Sequence, residues 1–574
     1  MSLTSSMQIA RSALITSQIG LQVTSQNMAN AATPGYTRQI AMLQAIRGRA
    51  SDPFHIGQGV AVTQVRRQID EALQRRLWNG NSDEFASAQE LNVLSQLETI
   101  LNEGTEFDMS TQLSSFFNTW TEATTLLDSE SNIINQGESL SAFIRNMRTD
   151  LVDQRAQLEE QIDSQVLTAD ALLDEIASIN QVIVESEVGE AQAGSLRDRR
   201  DQIVTELAQL MDISVVETNA GGYDIYSGSS AIVQGSRNRG LEISRVTEND
   251  TLTVRVQIAA DSTPLPVQSG SIGGLLNSRD GAIDATLEKL DTLASQLIFE
   301  VNKLHSTGIN EDWLTSSSAT LQIPTSDRTL ALNDPNNSTL ANLPFGATNG
   351  SFTVSVRNSE GIVTSTRQID IDLDGLTNAG LPGFGDDTSA DDIMNELNAI
   401  PGLNASFDPS GRLVIDSDPG FSFGFSDDSS GALATLGVNS FFEGTKASDI
   451  SVRDDLTVML GRMEEGTGKF IANGTALAMG NLATKASDGL GGLSLTKFWA
   501  NQSQEIAVKT SAARTDANAA RLVRESLDGQ RAAVSGVSID EESINLIEYQ
   551  RQFQAAAQVV TTAQQMFDTI LSLV

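Results

Sequence analysis

The stretch ANAATPGYTRQ, residues 29–39, separates two segments of different pattern close to the N-terminus. Thr33 precedes a proline, and the bulk of that proline ring favours an extended backbone at Thr33. Pro34 and Gly35 suit the two central positions of a type II turn, in which Gly35 takes a positive φ. The stretch therefore predicts that a helix ends here and that an extended arm begins at Tyr36.

The segment before this turn, residues 3–28, is predicted to be a helix with a narrow contact face. Its large apolar side chains recur every seven residues, at Met7, Leu14, Leu21 and Met28. A line of small or polar side chains follows three residues after each of these, at Ala10, Ser17, Thr24 and Ala31. A face this narrow cannot bury itself, so the helix needs a partner.

The C-terminal segment, residues 538–574, carries the same seven-residue period and is the candidate partner. One line of its repeat is large and apolar: Ile539, Leu546, Phe553, Val560, Phe567 and Val574. The line three residues later consists of Tyr549, Ala556, Ala563 and Ile570. Ser538 and Glu541 predict a capping box at its start. We expect the two ends to pair as a coiled coil and to assemble further with other subunits. The alternative is a helix packed on the core of its own domain.

The composition narrows the classes of function. The chain has 574 residues and a formal net charge of −37, which disfavours binding to nucleic-acid phosphates and to anionic membranes. It contains no cysteine, which excludes disulfides and thiolate metal sites, and it has only two histidines. No run of about 18 apolar residues predicts a membrane span, and the N-terminal residues do not resemble a Sec-type signal peptide.

The order of patterns along the chain predicts a multidomain α+β fold. Short alternating or β-branched runs divided by glycines indicate β-rich domains inserted into a long helical frame, whose N- and C-terminal helices pair as a coiled coil. The expected domains are a terminal coiled coil with a linking arm (1–75 with 500–574), a helical rod-like domain (76–215 with 275–310 and 450–499), a small β insertion (216–274) and an outer β-rich domain (311–449).

The acidic stretch DIDLDG, residues 370–375, is the strongest candidate for a metal site. Asp370, Asp372 and Asp374 match the first half of a calcium loop, but the position expected for the bidentate acid is Leu381. An alternating β-strand would account for the same sequence, and we favour this strand over a calcium site.

Other polar motifs have structural explanations. The charges of LRDRRDQI, residues 196–203, are expected to form an ion network that is either solvated or lies between helices. A structural role is expected for His305 in an apolar helix, and His55 offers no stronger case for chemistry. SGSIGGLL, residues 269–276, lacks the lysine of a P-loop and predicts a tight turn into a helix. We therefore predict no catalytic, cofactor-binding or metal-binding residues, no cofactor and no enzymatic activity.

Both ends of the sequence resemble the axial proteins of the bacterial flagellum, a group of rod, hook and hook-associated families. The N-terminal resemblance lies in ANAATPGYTRQ, and the C-terminal one in SGVSIDEESINLIEYQRQFQAAAQVVTTAQQMFDTIL, residues 535–571. Three interior stretches narrow the resemblance to the hook-associated group: residues 196–217, 273–310 and 436–452.

This resemblance implies a structural role at the junction between hook and filament. The implied partners are further copies of the chain in a tubular ring, the hook protein, the second hook–filament junction protein, and an export chaperone bound to the C-terminal helix. The implied location is the extracellular flagellum, reached by flagellar type III export without a Sec signal. The alternatives are a hook or distal-rod axial protein, or an adhesin or enzyme carried on an axial scaffold.

The resemblance and the two repeats together designate the residues expected to make assembly contacts. They belong to the large apolar lines, to the turn and to the C-terminal repeat: Met7, Leu14, Leu21, Met28, Asn30, Thr33, Pro34, Gly35, Tyr36, Leu546, Tyr549, Phe553, Val560, Phe567 and Ile570.

Overall fold

The computed structural model describes residues 3–47, 57–104, 107–125, 130–187, 192–248, 251–377, 379–464 and 469–572. His55 and Val574, which the sequence patterns include, lie outside these described residues. The chain divides into two compact units, which are described separately. The terminal unit comprises Met1–Val93, Gln157–Asp280 and Thr510–Val574, and the central unit comprises Leu94–Ala156 and Gly281–Lys509.

Helices dominate the chain, as the spacing of apolar residues predicts, and strands occupy the segments between them. The α-helices are α1 (Leu3–Ala29), α2 (Glu71–Leu101), α3 (Met109–Ala123), α4 (Glu130–Ser186), α5 (Gly194–Leu210), α6 (Gly270–Ser278), α7 (Ala285–Ser306), α8 (Thr325–Arg328), α9 (Ser338–Ala341), α10 (Ala390–Asn398), α11 (Ala432–Leu436), α12 (Gly474–Leu482), α13 (Leu495–Ser535) and α14 (Ile539–Ser572). A π-helical segment, Arg279–Asp284, joins α6 to α7, and a short 3₁₀ helix covers Asp488–Leu490.

The strands form several small antiparallel sheets. Those of the terminal unit are β1 (Gln39–Ala45), β2 (Val60–Arg67), β3 (Ser214–Glu217), β4 (Tyr223–Ser227), β5 (Ser230–Gln234), β6 (Arg237–Asn238), β7 (Leu241–Glu248), β8 (Thr251–Ile258) and β9 (Thr263–Pro264). Those of the central unit are β10 (Gly308–Ile309), β11 (Ser316–Ser318), β12 (Gly350–Asn358), β13 (Val363–Ile371), β14 (Leu403–Phe407), β15 (Leu413–Ser417), β16 (Phe421–Ser426), β17 (Phe442–Glu443), β18 (Ser451–Val452), β19 (Gly461–Met463) and β20 (Phe470–Ile471). This mixture of long helices and small sheets confirms the predicted α+β class.

The terminal unit combines three sheets with the two terminal helices. β1 and β2 form a hairpin in register from Gln39 opposite Arg67 to Ala45 opposite Val60. The second sheet has the order β3-β4-β5-β6 and the third has the order β7-β8-β9. Asn180 of α4 fastens the second sheet, because its Nδ2 donates to the carbonyl oxygens of Tyr223 at 2.8 Å and Gly235 at 2.7 Å.

The central unit contains a β-rich segment with its own apolar core. Its sheets have the orders β13-β12-β16 and β11-β15-β14, and α10 supplies further buried side chains. Core residues run from Ala319 to Val438 and include Phe352, Phe423 and Phe425. Strand β13 confirms the predicted alternation at Ile369 and Ile371, but the predicted strand continued to Leu373, and β13 ends at Ile371, before the last two aspartates of DIDLDG.

His305 in the central unit has the structural role that its sequence context predicts. It is fully buried, Nδ1 lies 2.8 Å from the carbonyl oxygen of Asn439, and Nε2 accepts a hydrogen bond of 3.1 Å from the Met459 amide. These partners fix the tautomer with the proton on Nδ1. Burial lowers the pKa of His305 to about 4, so the ring is neutral at pH 7.

Candidate assembly interface

Helices α1 and α14 pack against each other in antiparallel orientation within the terminal unit. Asn27, near the end of α1, contacts Glu542, near the start of α14. Gly20, seven residues before Asn27, lies against Tyr549, which is seven residues after Glu542. This matched step keeps the two seven-residue repeats in register along both helices.

The contact between the two helices is made mainly by small side chains. The buried residues of α1 are Ala10, Thr16, Ser17, Gly20, Thr24 and Asn27, and those of α14 are Glu542, Ala556 and Ala563. The large line of α1, formed by Met7, Leu14, Leu21 and Met28, is only half-buried. The line of small side chains on α1 and the two alanines of α14 therefore form the closest contact, because small residues let two helix backbones approach.

A close approach at one glycine shows how tight this contact is. A β-carbon added to Gly20 would stand 2.6 Å from Cε1 of Tyr549, well inside the van der Waals distance. The Tyr549 ring thus occupies the space that any larger residue at Gly20 would need. Burial, followed by the charges of Glu548 and Glu542, raises the pKa of Tyr549 above its usual value.

The pairing of α1 with α14 leaves several large apolar side chains of α14 exposed at the surface. Phe553 is 39% exposed, Phe567 is 46% exposed and Ile570 is 50% exposed. Leu546 and Val560 are half-buried. Beyond the first turn of the helix, which carries the exposed Ile539, the other exposed large apolar residues are Ile544, Ile547, Val559, Met566 and Leu571. We call this set of ten residues beyond the first turn the α14 apolar face. Large apolar side chains exposed in such number on one helix are typical of interaction sites in soluble proteins.

An apolar groove continues this surface towards α1 and the hairpin. It has a volume of about 430 Å³. Its lining comes from α1, from both strands of the hairpin and from α14, and includes Ile9, Ala13, Leu43, Val60 and Val559. Exposed apolar side chains and an apolar recess are therefore adjacent on one side of the paired helices.

The turn after α1 has the geometry predicted for it. Gly35 has φ +79°, and the Tyr36 amide donates to the Thr33 carbonyl oxygen at 3.2 Å, which closes the turn around Pro34. Thr33 and Pro34 are exposed. Helix α1 itself ends at Ala29, before the proline, and Asn30 caps the exit because its Nδ2 donates to the Gln26 carbonyl oxygen at 2.9 Å.

Asn27 is the residue that joins the turn, the arm and α14. Its Oδ1 accepts hydrogen bonds from the Tyr36 hydroxyl at 2.9 Å and from the Gln39 amide at 3.0 Å. Its Nδ2 donates to the Gln39 carbonyl oxygen at 2.9 Å and to Glu542 Oε2 at 3.2 Å. The side chain is only 1% exposed, so water does not replace these bonds.

Charge pairing fastens the arm to the first turn of α14. Arg38 Nε lies 2.8 Å from Glu542 Oε1, and Arg38 Nη1 lies 2.9 Å from Glu541 Oε2. Burial and then the charges of Asp198 and Glu542 raise the pKa of Tyr36 to about 12, so its hydroxyl keeps the proton that it donates. The predicted capping box is only half-formed, because Ser538 Oγ accepts from the Glu541 amide at 3.5 Å while the Glu541 carboxylate binds Arg38.

The base of the arm is held by the predicted ion network of residues 196–203. Arg67, at the end of β2, donates to Asp198 Oδ1 at 2.9 Å and to Asp201 Oδ2 at 2.6 Å. The Thr37 amide donates to Asp198 Oδ2 at 3.3 Å. Burial lowers the pKa of Arg67, but Asp201 and Asp198 raise it by more, so the guanidinium stays charged. The hairpin is thereby anchored to α5 at the end of β2 and just before the start of β1.

The structure brings together some predicted contact residues and adds others that the sequence did not indicate. Tyr36 and Tyr549 lie within the paired helices and turn, whereas Phe553, Phe567 and Ile570 lie at the surface. The added residues are Asn27, Arg38, Arg67, Asp198 and Glu542, which hold the interface through polar contacts. The sequence signal that could have identified these residues is a polar side chain among the small residues of a helix contact face, as at Asn27 of α1.

Within the described residues, no helix is both long enough and apolar enough to cross a bilayer.

Three family models match the chain and define its class. Flagella basal body rod protein matches residues 7–37, the helical domain of flagellar hook-associated protein FlgK matches residues 94–314, and the C-terminal model of flagellar basal body rod FlgEFG protein matches residues 530–573. The first and last models cover most of α1 and α14, the helices that pair. The chain is a structural axial protein of the bacterial flagellum.

Within this class, the chain is similar to flagellar hook-associated protein 1, which confirms the resemblance found in the sequence. It is 24% identical to that protein of Escherichia coli over 98% of each chain, and 25% identical to that of Salmonella typhimurium over 98% of this chain and 99% of the relative. Identity to the Bacillus subtilis protein is 25% over 53% of this chain and 68% of the relative. The solved structure of the flagellar hook junction protein FlgK from Burkholderia pseudomallei aligns with a TM-score of 0.49 and 14% identity, covering 80% of this chain and 100% of that one.

Proposed function

We propose that this chain forms the junction between the flagellar hook and the filament and assembles into a tubular ring through its terminal helices. The observation that carries the proposal is the α14 apolar face, which the pairing of α1 with α14 leaves at the surface. The similarity to hook-associated protein 1 over nearly the whole chain supports the junction rather than another axial position.

Burial of the α14 apolar face against neighbouring subunits supplies the driving force in this proposal. Moving a phenylalanine side chain from water into a packed contact stabilises by about 1.5–3 kcal/mol. Phe553 and Phe567 each have more than a third of their surface available for such burial. In a ring the same gain recurs at every subunit, so a moderate contact per chain produces a stable assembly.

The turn and the arm have a defined place in this proposal. Segments 1–75 and 500–574 make the contacts between subunits, and the Pro34–Gly35 turn directs the chain from α1 into the β1–β2 hairpin. Asn30, Thr33 and Pro34 project from the turn and contact a neighbour. Met7, Leu14, Leu21 and Met28 complete their burial in the assembly.

The partners in this proposal are other copies of the chain, the hook protein below and the second hook–filament junction protein above. The chain reaches the outside of the cell through the flagellar type III export system. An export chaperone covers the α14 apolar face until the subunit assembles, because exposed apolar surface in a subunit awaiting export promotes premature association. The protein acts without catalysis.

The experiment that tests this proposal is the double substitution Phe553→Ala with Phe567→Ala. Both side chains are exposed, so the terminal unit should stay folded with an unchanged melting transition. Incorporation at the hook tip should fail, with the variant protein and flagellin found in the culture medium, hooks present and filaments absent. Secretion is measured separately from incorporation, because the chaperone uses the same face.

A matched control uses exposed apolar residues of the same unit outside the α14 apolar face. Leu167 is 70% exposed on α4, and Val182 is exposed on the same helix. Leu167→Ala with Val182→Ala should assemble and carry normal filaments. Normal filaments on cells with the Phe553 and Phe567 double variant would contradict the proposal.

The alternative of a hook or distal-rod protein is less well supported, because the match to the hook-associated helical domain covers residues 94–314. Removal of residues 319–438 tests the alternative of an adhesin or enzyme on the axial scaffold. This deletion spares Asn439, whose carbonyl oxygen bonds His305. Swimming with normal filaments but lost surface attachment would favour the adhesin.

A further inference from the structure

Three aspartates of the central unit lie together although they come from separate parts of the sequence. Asp372 and Asp374 follow β13, and Asp387 lies shortly before α10. One oxygen from each of the three carboxylates lies within 4.8 Å of those of the other two. Asp370, which the sequence pattern grouped with the first two, lies inside β13, and its carboxylate accepts from Gln368 Nε2 at 2.7 Å. In the structure, the third member of the aspartate cluster is therefore Asp387 and not Asp370.

Asp387 carries a buried oxygen without a hydrogen-bond partner. Its side chain is only 5% exposed. Oδ2 accepts from Asn333 Nδ2 at 2.6 Å and from the Gly375 amide at 3.1 Å. Oδ1 has no partner among the described residues, and neither has the buried amide oxygen of Asn333. Buried polar atoms in proteins are normally paired, so these two acceptors are open to a hydrogen-bond donor or to a cation.

Among the residues that the structure describes, no basic side chain compensates the charge of this cluster. Within the described part of the chain, none of the three aspartates forms an ion pair with a lysine, arginine or histidine. Three carboxylates at this spacing repel one another, and one of them is buried, where its charge is costly without a partner. A bound cation removes both penalties.

The backbone holds the two acidic segments side by side. The Asp372 amide donates to Thr388 Oγ1 at 2.8 Å, and the Thr388 amide donates to the Asp372 carbonyl oxygen at 2.7 Å. The Gly375 amide reaches Asp387, as described above. These bonds involve one oxygen of Asp387 and leave its other oxygen, together with the Asp372 carboxylate, available to a ligand. The cluster is therefore positioned by main-chain contacts.

We propose that Asp372, Asp374 and Asp387 bind a calcium ion, with the amide oxygen of Asn333 as an additional ligand. Ca²⁺ takes six to eight oxygen ligands at about 2.3–2.6 Å in a flexible geometry, so any two oxygens bound to one ion lie no more than about 5.2 Å apart. Carboxylate and amide oxygens are its usual ligands, and water completes the shell at the two exposed aspartates. Mg²⁺ is less suited, because it requires shorter bonds and near-ideal octahedral geometry. The ion would fasten the turn after β13 to the segment before α10.

Calorimetric titration of the full chain with Ca²⁺ alone, after treatment with a chelator, tests this site. We expect one ion per chain with a dissociation constant below about 10⁻³ M, the range of extracellular calcium modules. Asp372→Asn and Asp374→Asn should each weaken binding at least tenfold, since both side chains are exposed and the amide keeps their shape. Circular dichroism in chelator verifies that both variants fold like the parent chain.

Asp370→Asn is the matched control, because it removes the same charge two residues away without touching the cluster. It should change the affinity less than twofold. Absence of calcium binding by the parent chain at 5 mM Ca²⁺ (about five times the weakest expected dissociation constant) would overturn the proposal. An equal loss of calcium affinity in Asp370→Asn and Asp372→Asn would also overturn it. Equal affinity for Mg²⁺ would overturn the assignment to calcium.

Discussion

Asn27 and Glu542, 515 positions apart in the sequence, share a buried hydrogen bond of 3.2 Å. Glu542 is 2% exposed, and its carboxylate also pairs with Arg38 of the arm. The first helix, the arm after the turn and the start of the last helix thus meet at one polar contact. This contact fixes the register of the two helices, because sliding by one residue would leave a buried carboxylate without its amide partner.

Asn27→Ala should therefore loosen the paired helices. The change removes four hydrogen bonds and leaves buried polar groups of Tyr36, Gln39 and Glu542 without that partner, at about 1–3 kcal/mol for each group left unpaired. Hydrogen exchange of the α14 amides should become at least tenfold faster. Asn30→Ala is the control, since that side chain bonds only near the exposed helix end; equal exchange rates in the two variants would argue against the role of Asn27.

Gly20→Ala should weaken the same pairing for a different reason. In an isolated helix alanine is favoured over glycine by about 1 kcal/mol, so a helix free of contacts would gain stability. Here the added β-carbon meets the Tyr549 ring at 2.6 Å, and the helices must separate. Faster proteolysis of the terminal helices should result. Combination with Tyr549→Ala should cancel part of the loss, and strictly additive effects of the two changes would show that these residues are not in contact.

Gly35→Ala should disturb the turn after α1. Gly35 has φ +79°, and an L-residue in the left-handed region costs about 1–2 kcal/mol. Pro34→Ala alone should have a smaller effect, because Pro34 is exposed and acts mainly by restricting the unfolded chain. The combined variant should be exported normally but give a weakened junction, with this protein and flagellin released into the medium. Normal filament number and swimming would speak against a special role for the turn.

Acid should destabilise the central unit through His305. Burial holds the pKa of His305 at about 4, below the usual histidine pKa of 6.5, so the unfolded chain binds the proton more readily. The stabilisation is fully present above pH 6.5 and is lost as the pH falls towards 4. At pH 5 the loss is about 2 kcal/mol relative to pH 7.

Denaturant unfolding at several pH values, followed through the fluorescence of the central-unit tryptophans, measures this loss. His305→Gln is the comparison, because glutamine can still donate to Asn439 and accept from Met459 but does not titrate. Its stability should fall less between pH 7 and pH 5. Parallel pH profiles for the two proteins would assign the acid sensitivity to other groups.

The sequence alone determined the local features of this protein. The seven-residue repeats at both ends predicted long helices, and Thr33-Pro34-Gly35 predicted the turn and the positive φ. Alternating residues predicted a strand that includes Ile369 and Ile371, although the prediction ran past the end of β13 to Leu373. The resemblance to flagellar axial proteins was also readable from short stretches. These features depend on backbone sterics and on helix or strand periodicity, which act over a few neighbouring residues.

The tertiary structure decided which surfaces meet. Each repeat contains two lines of side chains with the same seven-residue period. Periodicity therefore could not tell which line lies closest to the partner helix. Close backbone approach buried the small residues of α1 together with Ala556 and Ala563 of α14, placed Tyr549 against Gly20, and left Phe553 and Phe567 at the surface. The contacts of Asn27 with Glu542 and of Asp372 with Asp387 likewise join distant segments. Their energies depend on the spatial arrangement of whole elements, which no short stretch of sequence contains.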